Sequence, residues 1–475
     1  MALFCTHNFG PTKLLTAAAD RSLTKSQLLM NWIHLLSAQR PDGKPADPHA
    51  TRSAFEQDFD RIIFSSPFRR LQDKTQVFPL PKEDFVHTRL THSLEVSSVG
   101  RSLGKRAGEV LVQRYPELQE AGITQFDFGA VVAAASLTHD IGNPPFGHCG
   151  ESAISDFFKT AEIENLLQEH CSPAEWADLT NFEGNAQGFR ILNKASNTGL
   201  RLTYATLAAF SKYPCQALLQ NRNKKQVSQK KYGFFQSEKQ IFTEMARATG
   251  LLPIAGESAA WQRHPLAFLV EAADDICYHL IDLEDGCRMG LISFEETVEF
   301  LAAILQERFK PEKLEQIRGQ EEQLGVLRSL AIGTLIDQTT ATFLDHEREM
   351  LNGSFETALA DLVPAREVLA AIKKRSVEKI YRSQPVLETE IAGFEVLAGL
   401  LDAFVKAVFY QQFAPEKFTA RHTSVLRLLP EQFRPIRKGS VYELAMNCLD
   451  FISGLTDRHA VSLYRKIKGT SLPVL

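Results

Sequence analysis

The sequence predicts an all-α fold, and three observations carry that prediction. From Phe55 onward apolar residues recur at intervals of three and four, alternating β-branched runs are few, and the longest apolar stretch, GAVVAAASL, is apolar on nearly every face of one helix. That stretch is far too short to span a bilayer, and the opening MALFCTHNFGP has no basic segment leading into a long apolar one. At 475 residues the chain can bury a large core. Its 44% hydrophobic residues, 23% charged residues and net charge of -4 are ordinary for a globular protein, so any site for a polyanion has to be local. Seven cysteines, scattered from Cys5 to Cys448 without a CxxC pair, fit reduced thiols and a cytoplasmic location.

In chain order, PDGKPADPHA at 41–50 gathers three prolines, a glycine and two aspartates into a turn or linker. It divides an N-terminal segment, 1–50, from a catalytic core expected at 51–300, with a helical region at 301–475 packed on that core. The first informative helix, THSLEVSSVGRSLG, places His92 on the stripe of Val96, Val99 and Leu103, so its imidazole faces inward. A lone inward histidine is more often a hydrogen-bonded core residue than a ligand. The next segment, AVVAAASLTHDIGNPPFGH, changes that balance, because a buried helix ends in two titratable groups, His139 and Asp140. The glycine and prolines from Gly142 to Pro145 break the helix there, and the adjacent side chains can reach one cation.

Further on, PLAFLVEAADDICYHLIDLEDG carries an apolar stripe through Leu269, Ala273, Ile276, Leu280 and Leu283. Beside it Asp274, Tyr278 and Asp282 stack at intervals of four and address one cavity, while Glu271, Asp275 and Glu284 read as a solvated face. Two imidazoles with carboxylates suit a divalent metal that keeps open positions for water and phosphate oxygens, and the absence of grouped thiols argues against structural zinc. Between these helices, QNRNKKQVSQKKYGFFQSEKQ loses apolar periodicity. Its Arg222, Lys224, Lys225, Lys230 and Lys231, followed by Tyr232, Phe234 and Phe235, offer phosphate contacts and stacking surfaces for single-stranded DNA; the plainer reading is a solvated loop.

The order His92, His139-Asp140, Asp274 resembles the H…HD…D signature of HD-domain phosphohydrolases. The surrounding FRRLQDKTQVFPL, RLTHSLEV, LTHDIGNPPFGHCGE, NFEGNAQGFRIL, SKYP and VEAADDICYHLIDLEDG are similar to the deoxyguanosine triphosphate triphosphohydrolases (dGTPases) of bacteria, densely from Arg61 to Gly290. The resemblance implies an HD-domain helical fold with additional helices, and hydrolysis of dGTP to deoxyguanosine and tripolyphosphate. It places the metal, magnesium or manganese, on His92, His139, Asp140 and Asp274, and puts His148 and Glu151 in the chemistry, three residues apart so that Glu151 can orient His148. It assigns Gln76 and Asp282 to the 3'-hydroxyl, Tyr278 to the 2' carbon, Val77 to the base, and Asn185, Lys212 and Tyr213 to the triphosphate, with Arg458 as a further contributor. It also implies a homo-oligomeric ring, often a hexamer. Two alternatives stand beside it: a broad deoxynucleotidase or phosphomonoesterase on the same scaffold, and a nucleotide-sensing or single-stranded DNA-binding assembly with minor catalysis.

Overall fold

Local sequence fixes where the site-bearing helices begin. A computed structural model describes residues 29–43, 51–77, 87–194, 199–434 and 439–471, and among these it contains 22 α-helices and no strand. Nine helices position the site: α1 (Arg89–Arg114), α2 (Gln125–Thr138), α3 (Gly147–Phe158), α4 (Gly184–Asn193), α5 (Pro265–Arg288), α6 (Gln320–Asp345), α7 (Gln384–Phe413), α8 (Val441–Ser453) and α9 (Asp457–Lys468). The Thr88 hydroxyl caps α1 by accepting the Thr91 amide. Asp127 does the reciprocal work for α2, accepting the amide and hydroxyl of Thr124. Helix α5 starts on Pro265, whose missing amide costs nothing at that position, and the buried ring of His264 accepts the Leu266 amide at 3.1 Å.

Three glycines one turn apart set the central packing. A methyl group on Gly100, Gly104 or Gly108 would come within 2.5 Å of the Ser136 hydroxyl, 2.6 Å of the Phe128 carbonyl and 2.8 Å of the Phe128 side chain, respectively. Helix α2 therefore lies antiparallel on α1, backbone against backbone. Helices α1, α2, α5 and α6 share one apolar core in which Leu103, Phe128, Leu269 and Leu335 are enclosed, and the whole stripe expected on α5 is buried. Helices α3, α7, α8 and α9 share a second core around Phe158, Leu397, Phe404 and Ile452. Truncating Phe128 or Phe404 to alanine is expected to cost about 3–5 kcal/mol of stability.

Of the turn expected at 41–50, residues 41–43 are described and do turn, with Gly43 at φ 66°; residues 44–50 and Cys5 lie outside the described residues. No helix among the described residues is long and apolar enough to cross a membrane.

Candidate active site

The HD pair ends α2 because the chain turns three times in succession. Ile141, Asn143 and Gly147 donate their amides to the carbonyls of Thr138, Asp140 and Pro144. Phe146 then adopts φ 64°, left-handed and unusual for a bulky side chain, before α3 begins. The turn fits tightly against α4: a methyl group on Gly142 would lie 2.0 Å from the Gly184 carbonyl, so glycine is required where the two backbones meet. This junction opens a cleft of about 560 Å³.

At the cleft floor His92, His139 and Asp274 each offer one donor atom, all within 4.8 Å of one another. His92 Nε2 and His139 Nε2 lie 3.2 Å and 3.5 Å from Asp274 Oδ1. His139 Nδ1 is 2.7 Å from the Ser136 carbonyl, which can only accept, so in the neutral ring the Nε2 lone pair faces the cleft. Asp140 stands beside this trio. Its Oδ2 is 3.5 Å from His139 Nε2, but it also accepts Arg89 at 2.7 Å while Oδ1 accepts Asn143 at 2.5 Å. Burial is the largest single influence and would raise both aspartate pKa values, but Arg89 with His139 and His92 at Asp140, and Lys212 with His139 and His92 at Asp274, together outweigh it and hold the carboxyls well below the usual range. Burial also disfavours a protonated His92, yet Asp274 and then Asp140 and Asp282 raise its pKa. A field that favours a proton on an enclosed imidazole favours a divalent cation, and two imidazole nitrogens with carboxylate oxygens fit the implied divalent metal.

Above the floor His148 Nδ1 lies 2.7 Å from Glu151 Oε2, and Glu151 Oε1 accepts the Gly184 amide at 2.8 Å. Glu151 is buried, while the His148 side chain is 82% exposed, so the carboxylate fixes one ring nitrogen and leaves the other towards solvent. Burial pushes the Glu151 pKa up, but His148 and Lys231 outweigh it. Lys231 stands 3.6 Å from Glu151 and 3.1 Å from Glu183, which also accepts Asn185 at 2.7 Å. Lys212 reaches Asp274 Oδ2 at 2.8 Å. Asn185, Lys212, Tyr213 and Lys231 thus ring one side of the cleft.

One turn beyond Asp274 on α5, Tyr278 stacks on Tyr381 with centroids 5.7 Å apart and planes inclined by 18°. Burial pushes the Tyr278 phenol up to about 12. Gln76 and Val77 also line the cleft, and Gln76 Oε1 is enclosed without a partner among the described residues. Two tethers hold their segment in place. Asp457, the first residue of α9, accepts the Thr75 amide and hydroxyl and the Phe146 amide. Lys74 donates to the carbonyls of Asn143 and Ser453, and its burial lowers its pKa to about 7.

Asp282 is 2% exposed and accepts the hydroxyl of Tyr381, which lines the cleft, at 2.5 Å; burial raises it to about 7. Other sequence expectations need correction. Glu271, Asp275 and Glu284 do not form a solvated face: Glu271 pairs with buried Arg263, Glu284 with Arg288 and Arg328, and Asp275 lines the cleft. Arg458 is exposed, 3.9 Å from Asp73, and does not line the cleft. In the 220–240 loop Tyr232, Phe234 and Phe235 are buried in the cores and cannot stack on bases, and Arg222 is spent on four backbone carbonyls; Lys224, Lys225 and Lys230 remain exposed. Sequence reasoning missed Arg89, Tyr381 and Glu390 as lining residues and Lys231 as a neighbour of Glu151. Only for Arg89 was there a nearby signal, its position one turn before His92.

The family pattern described as "HD domain" matches residues 89–204, spanning His92 to Asp140, and the "Phosphohydrolase-associated domain" matches residues 363–466, which include Tyr381 and Asp457. A "Deoxyguanosinetriphosphate triphosphohydrolase-like protein" of Synechocystis sp. is 41% identical over 453 residues, covering 93% of this chain and 100% of that protein. One of the same description from Pseudomonas aeruginosa is 39% identical over 457 residues, covering 94% and 100%. The chain belongs to the HD-domain dGTP triphosphohydrolase family. A relative from Yersinia enterocolitica named "Deoxyguanosinetriphosphate triphosphohydrolase" is 31% identical over 505 residues, covering 91% of this chain and 97% of its own length. Within the dGTPase family, then, this chain draws His92 and His139 of the cleft from the HD match, Tyr381 and Glu390 from the associated-domain match, and Asp274 from α5 between the two.

Proposed function

We propose that the chain hydrolyses dGTP to 2'-deoxyguanosine and tripolyphosphate in a magnesium- or manganese-dependent reaction. The observation that carries this reading is the sharing of one cleft by the His92, His139 and Asp274 donors, the His148–Glu151 pair and a ring of Lys212, Lys231, Asn185 and Tyr213. His92, His139 and Asp274, with Asp140 beside them, would hold the metal. When bound, it supplies Lewis-acid activation of water and neutralises charge on an α-phosphate oxygen. Water adds to the α-phosphorus and the bond to the 5' oxygen breaks. His148, fixed by Glu151, exchanges a proton with the attacking water or with the leaving oxygen. Lys212 and Lys231 balance the triphosphate charge, and Asn185 and Tyr213 add hydrogen bonds. Gln76 Oε1, enclosed and unpartnered, accepts the 3'-hydroxyl, and the Tyr278 ring excludes a 2'-hydroxyl.

Val77 presents shape rather than hydrogen bonds at the base end, which favours a second reading in which the same site takes several deoxynucleoside triphosphates. Turnover of the four deoxynucleotides and GTP with magnesium or manganese, with products separated, decides between them. Tripolyphosphate released mainly from dGTP supports the first reading, and comparable rates on all four support the second. Release of orthophosphate alone, or a fully metallated but inert protein, sinks both.

A further inference from the structure

Arg263 does not itself line the cleft, yet it binds together the segments that carry the cleft's cations. It precedes α5 and is 2% exposed. Its Nε donates to the Lys212 carbonyl at 2.5 Å, and one terminal nitrogen reaches the Val227 carbonyl at 3.3 Å, in the loop that leads to Lys231. Both terminal nitrogens fork onto Glu271 of α5, at 2.6 and 3.2 Å, and Glu271 lies one turn before Asp274. The guanidinium lies over the Tyr213 ring at 5.6 Å and the Phe268 ring at 5.0 Å. A single planar group therefore joins the Lys212–Tyr213 turn, the Lys231 loop and the metal-facing helix.

We infer that Arg263 is a positioning residue for triphosphate binding, setting the Lys212 ammonium against Asp274 at the cleft floor. The inference rests on the phosphate-binding role proposed above. Burying a guanidinium is costly unless its donors are matched, and here four directed hydrogen bonds match them. Lysine offers the charge without the fork, so it cannot hold the Lys212 carbonyl and Glu271 together. The loss should fall on the phosphate end and spare the nucleoside end, which is built from Gln76, Val77 and Tyr278.

The test is calorimetric binding of inorganic tripolyphosphate and of 2'-deoxyguanosine, in magnesium buffer, to the full chain and to Arg263→Lys, Lys212→Ala and the double variant. Arg263→Lys should weaken tripolyphosphate on the order of tenfold to a hundredfold, leave deoxyguanosine unchanged, and add nothing in the Lys212→Ala background. Equal weakening of both ligands, unchanged tripolyphosphate affinity, or losses that add to those of Lys212→Ala would overturn the inference. Should Arg263→Lys not fold, Glu271→Gln, which keeps the shape and one acceptor, faces the same criteria with the same expected direction. An unsubstituted chain that binds no tripolyphosphate removes the phosphate reading itself, and that result is distinct from a variant that matches it.

Discussion

Two aspartates on α5, two turns apart, face opposite fates. Asp274 lies among Lys212, His139 and His92, and together these neighbours outweigh its burial and hold its pKa well below the usual range. Asp282 is more deeply buried and meets a phenol, Tyr381, and burial lifts it to about 7. One helix thus presents a carboxyl held ionised beside His92 and His139 and a second that is easily neutralised behind Tyr381. The lesson is that residue type and spacing do not set the role of an acid; the charges that other segments bring to it do.

Matched substitutions sharpen the contrast, beginning with the largest effect. Asp274→Asn should lose bound metal and on the order of a thousandfold or more in turnover, read by metal content and rate together, whereas Asp282→Asn should keep its metal. Equal metal loss in both would erase the distinction. His148→Ala comes next, with kcat falling by about two to four orders of magnitude and nucleotide binding largely kept. Near-normal turnover would remove His148 from the chemistry. At the sugar end, Tyr278→Ala should collapse the preference for dGTP over GTP, measured as a ratio of kcat/KM; an unchanged ratio places the gate elsewhere, with Tyr381 the neighbour to test.

The smallest effect concerns stability. An acid raised to about 7 in the folded chain holds a proton that the unfolded chain has released, so its contribution is present below about pH 4 and is lost as pH rises through about 7. Replacing Asp282 by asparagine removes that dependence. The fall in unfolding midpoint between about pH 5 and about pH 8 should therefore be smaller in Asp282→Asn than in the unsubstituted chain. A difference of the same size in both would show that Asp282 does not titrate in this window.

The helices were legible because their apolar residues repeat within a few turns: α2 and the stripe of α5 are buried as their periodicity requires. The meeting of His92, His139 and Asp274 was legible in pattern, since each ends or lines a helix with an enclosed face. The contact of Asp282 with Tyr381 was not legible, because Tyr381 comes from a segment about a hundred residues away and no local spacing announces it. Lys231 was read as part of a basic run for the same reason. Its partners, Glu151 and Glu183, are far upstream, and the aromatic residues beside it turned inward to fill the cores.

Asp457 bears on how truncated forms of the molecule would fail. One carboxylate ties down both Thr75, next to the residues that close the nucleoside pocket, and Phe146, at the threshold of α3. A premature stop in the turn between α8 and α9 would delete no imidazole, aspartate or lysine from the cleft, yet it would untie Gln76 and Val77. The shortened product would keep His92, His139 and Asp274 and the Lys74 bond to the Ser453 carbonyl, but would lose the bonds that fix Thr75 and Phe146.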